Sequence, residues 1–390
     1  MTNRFPHAKQ LLTTLTEHGE LILSIEPDEV EPPAPDEIVV RMEAVPIHPS
    51  DIGLLLAPAD MSTLRSATVD GNAALVAGVK PQMARAFAGR LGKKLPAGNE
   101  GAGTVVAAGS SEAAQALMGR TVSVVDGRLY RTHARTKAEN VVPLPTGATA
   151  LEGASLFVNP MTTQGFLNTM RAEGHRALVH TAAASSLGQM LARLCLEERV
   201  PLVAIVRSEE QKALLEEIGL SYVLDSSAQG FATDLVEALA ETGATLCFDA
   251  IGGGRMADHV LTAMERAQAK RGAEFSLYGS TVHKQVYIYG RLDTGNTVLT
   301  AGYGMYWGVG GWLLTPHLQE AGEERVREMR RFAVKERNGI FASHYTRTIR
   351  LEDMIDPEIA RAYERKATGE KYLVDPSRSS PSPGRLASAS

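Results

Sequence analysis

The chain has 390 residues, 44% of them hydrophobic and 22% charged, and a formal net charge of -5. That is enough apolar chain for at least one large core and predicts two domains, while the scattered Lys and Arg leave no basic stripe for nucleic acid or an anionic membrane. The opening MTNRFPHAKQLLTTL has no apolar stretch of signal-peptide length and no apolar run is long enough to span a bilayer, so a cytoplasmic protein is expected.

Up to about Ala150, short β-like runs (EIVVRMEAVPI, GAGTVVAAG, RTVSVVDGRLYRTHA) alternate with Pro and Gly clusters and predict a mostly-β, barrel-like domain. HPSDIGLLL has the polar-then-apolar pattern of a helix start, with Asp51 as a cap, and Glu100 in GNEGAG is expected to hold a loop by accepting backbone N–H bonds. The stretch Ala57–Gly98 interrupts the pattern, reads as partly helical around KPQMARAFAGRLGKK, and is longer than such a connection needs, as a lid or an oligomer contact would be. From about Leu151, RALVHT, PLVAIVRS, SYVLD, TLCFDAIGGG and EFSLYGS read as strands with helices between them, which predicts a parallel sheet covered on both faces. A charged helix (EERVREMRRFAVKERNG), a strand (SHYTRTIRL) and GEKYLVDP then rejoin the first domain. The Ser- and Pro-rich tail is expected to be disordered. The boundaries read as 1–155 with 335–377 for the β domain, 156–334 for the α/β domain and 378–390 for the tail.

Within LVHTAAASSLGQMLARLC a strand runs into a helix, where unpaired first-turn amides and the helix dipole suit a diphosphate. Ala182, Ala183, Ala184, Ser185 and Ser186 supply small side chains in place of the usual glycines, Leu187 opens the buried face of the helix and counts with Ala184, Ser185, Ser186 and Gly188 among the expected cofactor contacts, and Gly188 stands where the helix must pack on its strand. The segment reads either as a phosphate cradle or as a plain connection with a serine cap. After PLVAIV come Arg207, Ser208 and, a helical turn on, Lys212, with no carboxylate before them. A guanidinium there pairs with a 2′-phosphate and favours NADPH over NADH; the alternative is a set of surface charges beside Glu209, Glu210 and Glu216.

In this order AVPIHPSDIGLL, PAGNEGAGTVVAAGS, LFVNPMTTQGFL, HTAAASSLGQ, CFDAIGGG and FSLYGS resemble the medium-chain dehydrogenase/reductase superfamily, specifically its zinc-free quinone oxidoreductase and 2-enoyl thioester reductase branch. The resemblance runs from about Glu37 to Asp375. It implies an α/β fold, a GroES-like mostly-β barrel domain plus a Rossmann domain with a doubly wound parallel sheet. It also implies cofactor contacts from Thr162, Ile251, Gly252, Tyr278 and Gly279, catalytic roles for His48, Asn159 and Tyr303, an aromatic wall with Tyr306 and Trp307, and a homodimer paired through about Val286–Thr300 with GRLDTGN as a hairpin tip. No metal is expected: Asn99 stands where zinc-dependent relatives have a ligand, and Cys195 and Cys247 sit in apolar runs as core residues. The chain also lacks the tyrosine that the enoyl thioester reductases carry soon after the Pro-Ser-Asp turn. His48 remains either a proton donor to a carbonyl or enolate, or a structural residue in its turn. Three functions follow: an NADPH-dependent reductase of a conjugated C=C bond or a quinone, a carbonyl or alcohol oxidoreductase, and a nucleotide-binding protein without catalysis.

Overall fold

The structure, a computed structural model, describes residues 5–272, 276–365 and 369–378. The chain divides into two units, Met1–Val158 with Ser343–Ser390, and Asn159–Ala342.

In the first unit, β-branched runs alternate inward and outward along β1 (Lys9–Leu15), β2 (Glu20–Pro27), β3 (Glu37–Pro46), β4 (Arg65–Val69), β5 (Asn72–Gly78), β6 (Lys94–Pro96), β7 (Glu100–Ala108), β8 (Thr121–Val125), β9 (His133–Lys137) and β10 (Val141–Pro143). One antiparallel sheet has the order β4-β5-β2-β1-β6. The other runs β10-β8-β7-β3 and continues into the late strands Tyr372–Asp375 and Arg347–Arg350, which makes the end of the chain part of this unit. A shared core of Leu11, Leu23, Val40, Val45, Val124, Tyr130, Leu351 and Val374 holds the two sheets together.

The long stretch Ala57–Gly98 is mainly this sheet's own extension. Asp70 and Gly71 take φ of 50° and 78°, the paired left-handed conformation of a two-residue hairpin turn, and β4 and β5 pair on either side. Its helical parts are Pro81–Ala86 and two short 3-10 turns, Met61–Thr63 and Ala88–Arg90. The buried Arg90 fastens the segment down by donating to Leu54 O at 2.7 Å and Thr13 Oγ1 at 2.8 Å.

The second unit is built on β11 (Leu178–Thr181), β12 (Leu202–Val206), β13 (Tyr222–Asp225), β14 (Leu246–Asp249), β15 (Gly252–Gly254), β16 (Lys284–Ile288), β17 (Asp293–Thr297) and β18 (Trp307–Gly311). Six of these form a parallel sheet in the order β13-β12-β11-β14-β16-β18. Successive residues send side chains to opposite faces. Leu178, Ala204 and Phe248 join one core with Met190, Leu194 and Leu215; Val179, Val203 and Cys247 join the other with Leu235, Val260 and Met264. Cys195 and Cys247 are both buried and free.

Three details depart from expectation. Of EFSLYGS, residues 274–275 lie outside the described residues and Leu277 and Tyr278 form a turn; the β-branched run KQVYI supplies the strand instead. That strand, β16, is flanked on both sides, by β14 and β18, so the sheet's edge is β18 and not Val286–Thr300. GRLDTGN is no hairpin tip, because Asp293–Thr297 pairs in parallel with Gly252–Gly254. Among the described residues no helix is long and apolar enough to cross a membrane.

Candidate functional site

In the first unit, β3 ends at Pro46 and the chain enters the helix Pro49–Leu56, with His48 as its N-cap residue. Asp51 Oδ2 accepts the His48 amide at 2.9 Å and its Oδ1 accepts the Asn99 amide at 3.2 Å, tying the helix start to the head of β7. Asp51 thus caps this helix from inside its first turn. Burial pushes its carboxyl above the ordinary range, and the field of His48 with the bonds from His48, Tyr130 and Asn99 only partly offsets that.

Glu100 is fully buried. Its Oε1 meets His48 Nε2 at 2.7 Å, and its Oε2 accepts the amides of Phe157 at 2.7 Å and Val158 at 3.1 Å. The carboxylate does hold a loop, and it also fixes the imidazole, with Nε2 on the carboxylate and Nδ1 left as the ring's other polar atom. Asn99 Nδ2 donates to Ser50 Oγ at 3.0 Å. Among the described residues no three His, Cys, Asp or Glu side chains are grouped to hold a metal ion.

In the second unit the turn after β11 is closed by its own backbone. Ala182 takes a φ of 50°, Ser185 N–H donates to Ala182 O at 3.0 Å, and Ser185 Oγ accepts the Gly188 amide at 3.2 Å. Ser185 is therefore the N-cap of the helix Ser186–Glu197. A Cβ at Gly188 would meet Ala183 O at 2.1 Å, so only glycine lets the helix sit this close to its strand. Ala184 is buried beneath the turn, and Ser186 and Leu187 are half-buried in the first helical turn, whose amides have no acceptor within the helix. The serine of the cap reading is thus Ser185, whose hydroxyl closes the turn on the Gly188 amide.

At the end of β12, Arg207 is exposed and its guanidinium makes no ion pair among the described residues; its amide donates to Gln211 Oε1 at 3.1 Å. Ser208 caps the helix Glu209–Ile218 through Gln211 N, and Lys212 lies 4.0 Å from Glu216. Below the end of β14, Asp249 accepts the amides of Ile251 at 2.9 Å and Gly252 at 3.1 Å and the Thr181 hydroxyl at 2.6 Å, which locks this turn beside the one after β11. Gly252 has φ of 78° and would strike Gly290 O with any side chain. Gly279, at φ 80°, packs on Gly304 and Glu265, while Tyr278 is 73% exposed.

Asn159 and Thr162 are buried in the helix Val158–Ala172. Tyr303 is placed differently from its nominated catalytic role. It is 1% exposed, and its hydroxyl bonds Asp258, which also accepts from Thr300 Oγ1 at 2.5 Å and Arg255 at 2.8 Å. Burial would raise the Asp258 carboxyl, but these donors outweigh it and hold it well below the usual range. A phenol spent on such a carboxylate is structural. Tyr306 and Trp307 are surface residues at the head of the edge strand β18. Four polar residues of the first unit, Ser155, Ser343, Tyr345 and Lys371, carry no motif and went unread in the sequence, although Lys371 Nζ reaches Ser155 across 216 positions.

A mostly-β unit followed by a six-stranded parallel sheet, with a capped turn at the reversal of strand order, defines the class: the fold is that of the medium-chain dehydrogenase/reductases, a GroES-like domain with a Rossmann domain. The expected resemblance to the quinone and enoyl reductase branch is borne out by the chain's relatives and structural neighbours. No family model matches the chain. The mitochondrial enoyl-[acyl-carrier-protein] reductase of Mus musculus is 29% identical over 197 residues, 48% of this chain and 44% of that protein, so the chain matches less than half the length of this relative. A Mesorhizobium loti structure assigned as an NADPH:quinone reductase superposes with a TM-score of 0.70 at 24% identity, covering 96% of this chain and 100% of that one. The Etr1p/NADP/crotonyl-CoA complex gives a TM-score of 0.65 at 17% identity, with 94% and 99% covered.

Proposed function

We propose that the protein is an NADPH-dependent oxidoreductase that reduces, without zinc, a C=C bond conjugated to a carbonyl (an enal, enone or enoyl group) or a quinone. The observation that carries this reading is the pairing of a tightly closed, glycine-requiring turn after β11 with the exposed guanidinium of Arg207 at the end of β12, which makes no ion pair among the described residues. NADPH, when bound, supplies the hydride.

In this reading the amides of Ser186 and Leu187 hold the diphosphate, and Arg207 with Ser208 and Lys212 holds the 2′-phosphate. Thr162, Ile251, Gly252, Tyr278 and Gly279 line the rest of the cofactor's path. The Glu100 carboxylate orients His48, whose imidazole donates to the acceptor, and Asn159 is a further catalytic candidate. The names of the relatives support the reductase class, and the NADP-bound neighbour supports the cofactor.

The edge strand β18, headed by exposed Trp307 and flanked by exposed Met305, Tyr306 and Leu313, supports a homodimer joined edge to edge, and a cytoplasmic location is part of the same reading. A carbonyl reductase is the second reading, favoured by the His48–Glu100 pair as a ready proton donor.

The test is calorimetric titration with NADPH and NADH, followed by assays with enals, enones, quinones and secondary alcohols. NADPH binding with turnover of the conjugated acceptors is expected. Absence of heat with either nucleotide would refute the reading, and turnover of alcohols alone would replace it with the second.

A further inference from the structure

Arg90 comes from the long stretch after Leu56, and no acid meets it. It is 8% exposed, burial alone pulls its guanidinium down from the ordinary range, and among the described residues no carboxylate pairs with it. A buried charge without a partner is strongly destabilising, so the compensation has to come from the backbone.

The helix Pro49–Leu56 supplies it. Its last turn holds no basic residue, its C-cap Ala57 is right-handed, and none of the described residues 57–60 is left-handed to close the free carbonyls. Leu56 O takes the Ala59 amide at 2.9 Å. Leu54 O takes Arg90 Nη1 at 2.7 Å, and Arg90 Nη2 donates at 2.8 Å to the Thr13 hydroxyl, which in turn faces Leu55 O at 3.5 Å. The guanidinium thus lies at the negative end of the helix dipole, where a cation is stabilised. Its buried Nε–H finds no acceptor, so these two Nη bonds carry the contact.

The clamp is itself anchored. Gly92 N–H donates to Leu15 O at 2.8 Å and Leu91 bridges to Leu15, which pins the backbone just after Arg90 to β1, the strand that carries Thr13. The same helix begins at His48, where Asp51 ties it to Asn99 and Glu100 holds the imidazole. Asp51 stands midway between His48 and Leu54, so a tilt about Asp51 that moves the C-terminal end by about 1 Å moves His48 about as far the other way. A shift of that size at a reacting group removes a large part of the rate.

We propose that Arg90 is a positioning residue: by clamping the C-terminal end of this helix to β1, it fixes where His48, at the opposite end, presents its imidazole. That His48 works on an acceptor rests on the reductase reading above. The stretch Ala57–Gly98 then serves the site through one side chain, from the far end of a helix.

The test uses the full-length protein with ring-labelled histidine, the His48 resonances being assigned by their loss in His48→Gln. Arg90→Ala is expected to shift the His48 ring resonances and to lower kcat at least tenfold. NADPH affinity should stay within twofold of wild type, because the nucleotide contacts proposed above all lie in the second unit. Arg90→Lys, which keeps the charge and loses the fork, is expected to give a kcat between the two. Methylguanidinium, well below unfolding concentrations, is expected to return the His48 resonances of Arg90→Ala toward their wild-type positions and to raise its kcat at least fivefold. A merely structural role predicts a lower Tm with the His48 resonances and kcat of the folded protein unchanged, and that result would overturn the clamp. A fall in kcat with the His48 resonances in place would overturn it too. Should Arg90→Ala fail to fold, Thr13→Val removes only the shared hydroxyl; a His48 shift with at least a threefold loss of kcat is expected, and no shift refutes the proposal. His48 resonances shifted in Arg90→Ala and restored by methylguanidinium, in a protein whose wild type turns over no acceptor, would keep the clamp and remove the reductase reading instead.

Discussion

Around His48 the first unit assembles its polar centre from side chains drawn from distant strands, with Glu100 bridging an imidazole and two amides. The turn after β11 in the second unit is shaped by backbone, small residues and one serine cap. The difference teaches where each is fragile. A side-chain centre fails when an atom is removed, and a backbone turn fails when an atom is added.

The largest effect is expected from Glu100→Ala, which strands the imidazole and the amides of Phe157 and Val158 in a buried space; urea unfolding is expected to show a loss of about 3–5 kcal/mol. If the loss is under about 1 kcal/mol, side chains do not hold this centre. Gly188→Ala tests the other half of the contrast by adding a single Cβ, 2.1 Å from Ala183 O in the present geometry. It is expected to cost up to about 3 kcal/mol of stability and to abolish nucleotide binding in a fluorescence titration. Wild-type binding in a folded Gly188→Ala protein would contradict the cradle.

Arg207→Ala is expected to weaken NADPH binding by about 1.5–3 kcal/mol and leave NADH nearly unaffected, read by calorimetry with both nucleotides. Equal losses for the two would remove the 2′-phosphate assignment. The Lys371 linkage has a definite sign. Its ammonium is lowered from 10.5 to about 8 in the folded protein, so between those values the unfolded chain binds more protons and stability rises with pH. Relative to Lys371→Met, the wild type should gain stability from about pH 8 to 10.5 and run parallel below, in denaturant titrations across that range. The smallest effect is expected for Ala182→Gly: relief of a left-handed alanine is offset by the entropy of glycine, leaving unfolding within about 1 kcal/mol of wild type.

The same contrast explains what was legible in the sequence. Strand-helix alternation and the small-residue turn are local patterns, so the parallel sheet, the cap at Ser185 and the need for Gly188 could be read directly. So could Glu100 as a loop holder and Asp51 as a cap. The partnership of His48 with Glu100 spans 52 positions, and that of Tyr303 with Asp258 spans 45, and no local pattern records either one. Tyr303 looks like a site residue until its hydroxyl is seen on that carboxylate. The strand KQVYI was readable, but its place inside the sheet depended on β18, a glycine-rich run that looks like loop. In the long stretch after Leu56, the Asp70-Gly71 pair flanked by apolar runs was a hairpin signal overshadowed by the helical text that follows it.

That hairpin has a practical consequence. Its tip at Asp70 and Gly71 is exposed, on strands that pair only within their own sheet, and the segment that follows β5 is fastened by Arg90 to Thr13 and Leu54. Foreign sequence grafted between those two tip residues would lengthen a turn without loosening the register of β4 and β5. The position is therefore a port through which a reporter peptide or a tether could be attached to the folded protein.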